Sequence, residues 1–302
     1  MRQRYLALLS VFASLPAMAL TFQTPLESVE WKVEGDQFEC RLIQPISNFG
    51  SGMFVRRAGE QATFQLKSSS HRLGTGSATL LAAAAPWQPG RGDINLGTVR
   101  VNGGSALLNS TQGQASRLIN GLLDGRSTVV RSSAGGAGQT VEVRLLPMKL
   151  SEAWGDYEAC ADKLLPMNYD QVRQTQVGFP GGGVDLDASG RARLDVILDF
   201  LKADPSVNHI ELDGHSDNSG NRLSNRDMSR RRALAVMDYL KAKGIPEQQI
   251  TMRFHGERYP VAPNTSAANR SRNRRVNIQL ERVAPVETPA PEADVAKTAA
   301  RS

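Results

Sequence analysis

The fold of the C-terminal third is decided by residues 213–233, which read DGHSDNSGNRLSNRDMSRRRA. Alternating apolar residues at 210–212 indicate that a strand ends just before this stretch. A polar loop follows over residues 214–223, and Ser224 or Asn225 can then open a long helix. The apolar residues predicted on the inner face of that helix are Ala233, Val236, Met237 and Leu240.

Further short elements on both sides of this stretch complete a second domain. Asp187 can cap a helix that runs to about Ala203, and Gly244 can close the long helix. The other predicted strands are Gln171–Val177, Ile250–Phe254 and Val276–Leu280. Two helices and about four strands in the order β-α-β-α-β-β predict a two-layer α/β domain, with helices on one side of a mixed sheet.

The region from residue 20 to about 150 is rich in predicted strands. Alternating apolar and polar residues indicate strands at Arg41–Ile46, Gly52–Arg56, Ala62–Lys67, Ile94–Val101 and Thr140–Leu145. Ala58-Gly59-Glu60 can form a hairpin turn, and Arg117–Leu123 a short helix. Many short strands predict a barrel or a sandwich, between which the alternation does not choose. The whole chain is therefore expected to be of the α+β class.

A further helix is predicted at the end of this region, from Ser151 to Leu165. Ser151 can cap it, Glu152 favours its first turn, and Pro166 stops it.

The two ends of the chain differ in composition from these domains. Residues 1–19 combine Arg2 and Arg4 with an apolar run and end in Ala-Met-Ala, which predicts a cleaved secretory signal peptide. The alternative, an uncleaved membrane anchor, is disfavoured because the apolar run is short for a bilayer span. Residues 284–302 are rich in Ala, Pro and Thr and predict a disordered tail. The expected domains are 20–168 and 169–283.

Charge and cysteine content agree with an exported protein. The net charge is +6, and removal of Arg2 and Arg4 leaves +4, a mild excess that suits an anionic, sugar-rich polymer better than nucleic acid. Cys40 and Cys160 are the two cysteines of the chain. In an oxidising compartment such a pair is expected to form a disulfide, whose loop is worth about 4–5 kcal/mol. Metal binding is the rival interpretation, and no histidine lies near either cysteine.

Asp217 and Arg232 are the residues to which binding chemistry is assigned. A loop that leads directly into the next helix can set the carboxylate of Asp217 beside the guanidinium of Arg232. The two can form a plain salt bridge. Alternatively they can bind a zwitterion, with Asp217 taking a ligand ammonium and Arg232 a ligand carboxylate. Peptidoglycan stem peptides carry such a group on diaminopimelate.

Three motifs resemble the OmpA-like peptidoglycan-binding family, and they cover about residues 170–282. They are Gly214-His215-Ser216-Asp217, then Asn225-x-x-Met228-Ser229-x-x-Arg232-Ala233, and then Asn273-Arg274-Arg275-Val276. The resemblance implies that Asp217 and Arg232 bind diaminopimelate. It also implies that Asn225 and Met228 line the pocket and that Arg274 and Arg275 help to shape it. The chain departs from the family pattern after Phe179, where a glycine-rich loop replaces an expected aspartate.

The N-terminal region is similar to the MotY family of flagellar motor proteins in its layout, its cysteine pair and short pieces such as residues 38–42. This resemblance implies that the first domain docks onto the flagellar basal body or stator proteins, while the second tethers the assembly to the wall. The alternatives are a structural spacer for the first domain, or a general cell-envelope anchor with no motor role. A lipoprotein is disfavoured because Leu20, and not a cysteine, follows the predicted cleavage site.

Enzyme chemistry is not expected. His215, Ser216 and Asp217 are adjacent and cannot form the relay of a catalytic triad. His209, His215 and His255 lack the spacing of a metal site. The sequence therefore predicts a non-catalytic, periplasmic wall-binding protein of the flagellar motor, without a cofactor.

Overall fold

The computed structural model describes residues 20–68, 73–85, 87–88, 90–133 and 139–283. The predicted signal peptide, 1–19, and the predicted tail, 284–302, lie outside these residues. The chain divides into two compact units, of which unit 1 ends at Asn168 and unit 2 begins at Tyr169. Across the described residues no helix combines the length and the apolar character needed to cross a bilayer.

Unit 1 is built from ten strands. In chain order they are β1 Leu20–Phe22, β2 Lys32–Gly35, β3 Glu39–Ile46, β4 Gly50–Arg57, β5 Thr63–Ser68, β6 Gly76–Ala83, β7 Ile94–Val101, β8 Ala106–Asn109, β9 Ser127–Ser132 and β10 Val141–Leu145. They form two five-stranded sheets, with the orders β2-β3-β4-β5-β8 and β1-β10-β9-β6-β7. All neighbours are antiparallel except β1 and β10.

The two sheets are open, so the described residues form a layered β structure and not the closed barrel that the sequence also allowed. The five predicted strands are confirmed, and Ile94–Val101 has the predicted bounds. The predicted hairpin between β4 and β5 is confirmed as well, with Gly59 in its turn at φ +69°. Strands β6 and β9 were not predicted. Both are buried on most positions and lack the alternation that marks a half-exposed strand.

One apolar core lies between the two sheets. Phe54 and Phe64 are fully buried, and their ring centroids are 5.2 Å apart. Each such side chain contributes about 1.5–3 kcal/mol by leaving water. Gly52 brings the layers close, because a Cβ at this position would lie 2.6 Å from a methyl carbon of Leu145. Residues 52, 54 and 56 of β4 share this core-facing side, since side chains alternate along a strand.

Two helices complete unit 1. Helix α1, Gln112–Leu123, starts earlier than predicted, because Thr111 and Gln114 form a capping box. Helix α2, Leu150–Ala161, ends before the predicted Leu165. Its N-cap is Lys149, in the left-handed region at φ 57°, so the predicted cap at Ser151 is wrong.

The predicted disulfide between Cys40 and Cys160 is confirmed. Its Cα atoms are 6.1 Å apart, and it joins β3 to the last turn of α2.

Unit 2 has a four-stranded mixed sheet. In chain order its elements are α3 Tyr169–Val172, β11 Gln174–Gly178, α4 Ala188–Ala203, β12 His209–Gly214, α5 Arg222–Ala242, β13 Ile250–Phe254, α6 Ala267–Asn273 and β14 Arg275–Glu281. The strand order is β11-β14-β12-β13, with β12 and β13 parallel and the other pairs antiparallel. Along β14, Val276, Ile278 and Leu280 are buried while Gln279 is exposed. The helices therefore cover one face of the sheet, as predicted.

The helix starts of unit 2 test the capping predictions. Asp187 caps α4 as predicted, since its side chain accepts a hydrogen bond from Gly190 N at 2.7 Å. Helix α5 begins at Arg222 with Asn221 as its cap, so the start predicted at Ser224 or Asn225 is wrong. The short helix α6 was not predicted, because its seven residues carry no apolar stripe.

Candidate functional site

The candidate site begins at the loop of residues 214–221, which leaves the end of β12 and enters α5. Gly214 allows this loop to lie against the helix. A Cβ at this position would be 2.2 Å from the carbonyl oxygen of Ser229. His215, Ser216 and Asp217 are consequently buried at 4, 3 and 8% exposure, although they belong to a loop.

Asn225 holds the other end of the loop. Its Nδ2 donates to Gly220 O at 2.9 Å, and its Oδ1 accepts from Gly220 N at 3.2 Å. Its Nδ2 also hydrogen-bonds Glu257. The side chain, which the family resemblance assigns to the pocket wall, thus has both its polar atoms engaged in fixing the loop.

Asp217 forms an ion pair with Arg274. Arg274 Nη1 lies 2.8 Å from Asp217 Oδ2, and the two side chains are 15 and 11% exposed. Ser219 N donates to Asp217 Oδ1 at 3.1 Å. Burial raises the pKa of Asp217, but the hydrogen bonds from Arg274 and Ser219 outweigh it, and the net pKa lies below the ordinary 3.8. Asp217 is therefore a carboxylate at neutral pH.

Arg232 is 2% exposed, and its guanidinium is held by backbone carbonyls. Its Nε donates to Gly183 O at 3.0 Å, its Nη2 to Gly182 O at 2.7 Å and its Nη1 to His215 O at 3.3 Å. Burial lowers the pKa of Arg232 to about 10, with Asp217 acting in the opposite direction. The group remains a cation at neutral pH.

The three charged groups leave an excess of positive charge. In the described part of the chain Asp217 and Arg232 make no direct hydrogen bond, and the carboxylate is bonded to Arg274 instead. Arg274 also lowers the pKa of Arg232, so the two cations influence each other. One carboxylate faces two guanidinium groups, and a ligand carboxylate would balance the cluster.

The glycine-rich loop that departs from the family pattern is bound to both cations. Phe179 O and Pro180 O accept from Arg274 at 3.0 and 2.6 Å. The next two acceptors, Gly182 O and Gly183 O, belong to Arg232. Gly182 has φ +83°, a conformation that side chains disfavour. Backbone oxygens of this loop are thus the acceptors for both cations.

The two remaining predicted residues are Met228 and Arg275. Met228 is half-buried on α5. Arg275 is 3% exposed and donates to Tyr259 O at 3.1 Å and Asn277 Oδ1 at 3.1 Å. Burial lowers its pKa, and Asp213 raises it.

Asn273 supports the neighbouring loop and was not assigned a role from the sequence. It is fully buried, and its amide binds Val261 N, Ala262 N, Ala262 O and Asn264 Oδ1 at 2.8–3.0 Å. The sequence signal for such a role is the position of Asn273 directly before Arg274 in the third motif.

His215 and Ser216 have separate surroundings. The His215 ring stacks on His255, with centroids 5.0 Å apart, and Ser216 Oγ donates to Asp217 O at 2.9 Å. Burial lowers the pKa of His215 to about 4, aided by Arg275 and His255 and opposed by Asp213. The hydroxyl and the imidazole are not aligned for a catalytic relay. Within the described ranges no cluster of three or more His, Cys, Asp or Glu side chains could hold a metal ion.

Comparison with known proteins finds a family match in each unit. Residues 22–166 match the MotY N-terminal domain, and residues 178–274 match the OmpA family. The chain is 25% identical over 264 residues to the sodium-type flagellar protein MotY of Vibrio parahaemolyticus, which covers 86% of this chain and 89% of that protein.

Further relatives match a shorter part of the chain. The peptidoglycan-binding protein ArfA of Mycobacterium tuberculosis is 33% identical over 119 residues, or 39% of this chain and 36% of ArfA. The crystal structure of the C-terminal domain of Helicobacter pylori MotB is 25% identical and has a TM-score of 0.33, covering 35% of this chain and 84% of that one.

Proposed function

We propose that this chain, a MotY-like flagellar motor protein, ties a motor ring to the wall and supports stator assembly. It joins a MotY N-terminal domain to an OmpA-family peptidoglycan-binding domain. Unit 2 holds the peptidoglycan, and unit 1 docks onto basal-body or stator proteins. The chain acts in the periplasm after export and cleavage of residues 1–19.

The observation that carries the wall-binding role is the buried cluster of Asp217, Arg232 and Arg274. Two cations and one anion at the end of β12 form a receptor for a group that bears both charges. The free amino-acid end of diaminopimelate is such a group. Its ammonium is placed at Asp217, and its carboxylate at Arg232, whose planar guanidinium can bind both oxygens.

Entry of the ligand requires movement of the glycine-rich loop. Arg232 is 2% exposed, and Gly182 O and Gly183 O occupy its outer donors. A ligand carboxylate replaces these carbonyls as the acceptor. This exchange is favourable because a ligand carboxylate carries the opposite charge and can accept two parallel hydrogen bonds from the guanidinium, whereas each backbone carbonyl is neutral and accepts one. Asn225 and Met228 shape the pocket, Arg274 orients Asp217, and Arg275 fixes the adjacent loop.

Sedimentation with purified sacculi tests this site. Wild-type protein is expected to sediment, whereas Asp217→Asn and Arg232→Lys stay in solution. The matched control is Arg231→Ala, since the Arg231 side chain is 62% exposed and pairs with Asp227 on the outer face of α5. Circular dichroism establishes that each variant is folded. Equal sedimentation of all variants would place the wall contact elsewhere.

Small competitors identify the recognised group. Diaminopimelate is expected to release the protein from sacculi. Cadaverine keeps both amines and the carbons between the two carboxyl groups of diaminopimelate but has no carboxylates, so it is expected to have no effect. Release by cadaverine would show that only the amine is bound and that Arg232 plays no part in recognition.

The role in the motor is distinguished from that of a general envelope anchor by motility. The match of residues 22–166 to the MotY N-terminal domain favours the motor, because an OmpA-family domain alone would serve either role. Deletion of the gene is expected to abolish swimming, and Asp217→Asn is expected not to restore it. Normal swimming after deletion would favour the envelope anchor.

The protein binds the wall without cutting it. The hydroxyl of Ser216 and the ring of His215 have partners of their own and are not placed for hydrolysis. Incubation with sacculi is expected to release no soluble fragments. Release of fragments that persists after purification to homogeneity would contradict this.

A further inference from the structure

A cleft on unit 1 contains a cation that has no counter-ion among the residues that the structure describes. The cleft has a volume of about 370 Å³ and lies between the end of β4, the start of α1 and the chain after α2. Arg56 and Arg57 line it, together with Gln61 and Gln112. It is separate from the Asp217 cluster, which belongs to unit 2.

Arg56 is in an unusual position for a charged residue. It follows Gly52 and Phe54 on the core-facing side of β4, and it is half-buried. Its Nε is buried and has no hydrogen-bond partner, and its guanidinium makes no ion pair with any described residue. A buried donor without an acceptor is costly, so such a group in a folded protein ordinarily has a partner.

The nearby carboxylate does not fill this role. Glu60 lies in the same cleft, but its Oε1 accepts from Asn168 Nδ2 at 2.7 Å and lies 3.6 Å from Arg57 Nη1. Glu60 thus balances Arg57, and the charge of Arg56 is left over. The cleft has one excess positive charge.

A second polar group beside Arg56 is also without a partner. Tyr157 is 4% exposed, and its hydroxyl makes no hydrogen bond within the described chain. It lies one helical turn before Ala161, which lines the cleft, on the same face of α2. Arg56 is near enough to act electrostatically on the Tyr157 hydroxyl. Of these two groups Arg56 lines the cleft, and a carboxylate is the acceptor that matches its guanidinium.

The surroundings favour an acidic side chain on a protein over a wall sugar. The rest of the wall is formed by Ala161, Leu164, Leu165 and Pro166 and carries no aromatic ring on which a sugar could stack. Gln112 adds the N-terminal turn of α1, whose dipole favours an anion. The volume lies within the range of about 300–1,000 Å³ of ordinary ligand sites, which suits a side chain and its neighbours.

We propose that the cleft at Arg56 is a docking site for an acidic segment of a protein partner, whose Asp or Glu carboxylate pairs with the Arg56 guanidinium. This inference rests on the proposal that unit 1 docks onto motor proteins. It identifies the docking site on unit 1 and the ion pair that forms there.

Fluorescence anisotropy with the full mature chain tests the site. The probes are fluorescein-labelled hexaglutamate and hexaglutamine peptides. Wild-type protein is expected to bind hexaglutamate saturably and hexaglutamine at least tenfold more weakly. Arg56→Gln is expected to reduce hexaglutamate affinity at least tenfold. The control Arg41→Gln removes the same charge from a side chain that is 44% exposed and paired with Glu39, and it is expected to leave the affinity within twofold of wild type.

Further readouts separate this proposal from its alternatives. Because Arg56 has no partner, Arg56→Gln is expected to leave Tm unchanged or higher, whereas a structural arginine would lower it. Sacculus sedimentation is expected to be unaffected, so a failure of the wall-binding proposal would appear in that assay alone. Equal affinity of Arg56→Gln and wild type would overturn the inference. Reduced sacculus binding by Arg56→Gln would assign the cleft to the wall, and displacement of hexaglutamate by acetate at equal carboxylate concentration would assign it to small anions.

Discussion

Replacement of Gly182 by alanine is expected to strengthen binding to the wall. Gly182 O accepts a hydrogen bond from Arg232 at 2.7 Å and so competes with a ligand carboxylate. The residue has φ +83°, and a Cβ built there meets no atom within 4 Å. Alanine therefore introduces backbone strain in the closed loop without a steric clash.

The size of the effect follows from this strain. An L-residue in the left-handed region costs roughly 1–2 kcal/mol, which glycine avoids. If only the open loop admits the ligand, apparent affinity is proportional to the open fraction. A cost of about 1 kcal/mol raises that fraction, and with it the affinity, about fivefold while the closed form predominates.

The assay is a sacculus titration that yields the half-saturating concentration. Gly181→Ala is the matched control. It removes a glycine from the same loop, its Cβ also meets open space, and its φ lies outside the left-handed region. Gly182→Ala is expected to bind about fivefold more tightly than Gly181→Ala. Equal or weaker binding by Gly182→Ala would refute the idea that the loop carbonyls compete with the ligand.

Three further outcomes are expected. Gly214→Ala should destabilise unit 2 by roughly 1–3 kcal/mol or more, measured by urea denaturation, because its Cβ would lie 2.2 Å from Ser229 O; an unchanged midpoint would contradict the close approach. The double substitution of Cys40 and Cys160 by serine should cost about 4–5 kcal/mol in unit 1. Reducing agent should destabilise the wild type by a similar amount and leave the double variant unchanged. The pKa of His215 falls from 6.5 to about 4 on folding, so its contribution is complete above pH 6.5 and is lost as pH falls to about 4. Wild type should accordingly lose roughly 3 kcal/mol more between pH 7 and pH 4 than His215→Gln, and parallel pH profiles would argue against this.

The sequence predicts the start of a helix correctly where only one residue nearby can serve as its cap. Asp187 precedes an apolar periodic run and caps α4 as expected. The start of α5 was harder, because Asn221, Ser224 and Asn225 are all good caps. The folded chain selects Asn221, since Asn225 is bound to Gly220 and cannot serve as a cap.

The residue types of the candidate site were predictable, but their pairing was not. Asp217 and Arg274 are 57 residues apart in sequence, and their contact depends on β12 and β14 being neighbours. The partners of Arg232 include backbone oxygens of Gly182 and Gly183, and a carbonyl acceptor has no signature in side-chain patterns. Such partners become visible only when the loop is placed in space.

The disulfide also has a mechanical consequence. If unit 1 is held by the motor and unit 2 by the wall, tension enters unit 1 through Asn168, eight residues beyond Cys160. The bond to Cys40 then provides a covalent shortcut around the intervening chain, whose ends are 120 residues apart in sequence. Without the bond, that segment could extend to about 400 Å when stretched, at roughly 3.5 Å per residue. The crosslink therefore sets the maximum length of the tether under load, even when the sheets of unit 1 yield.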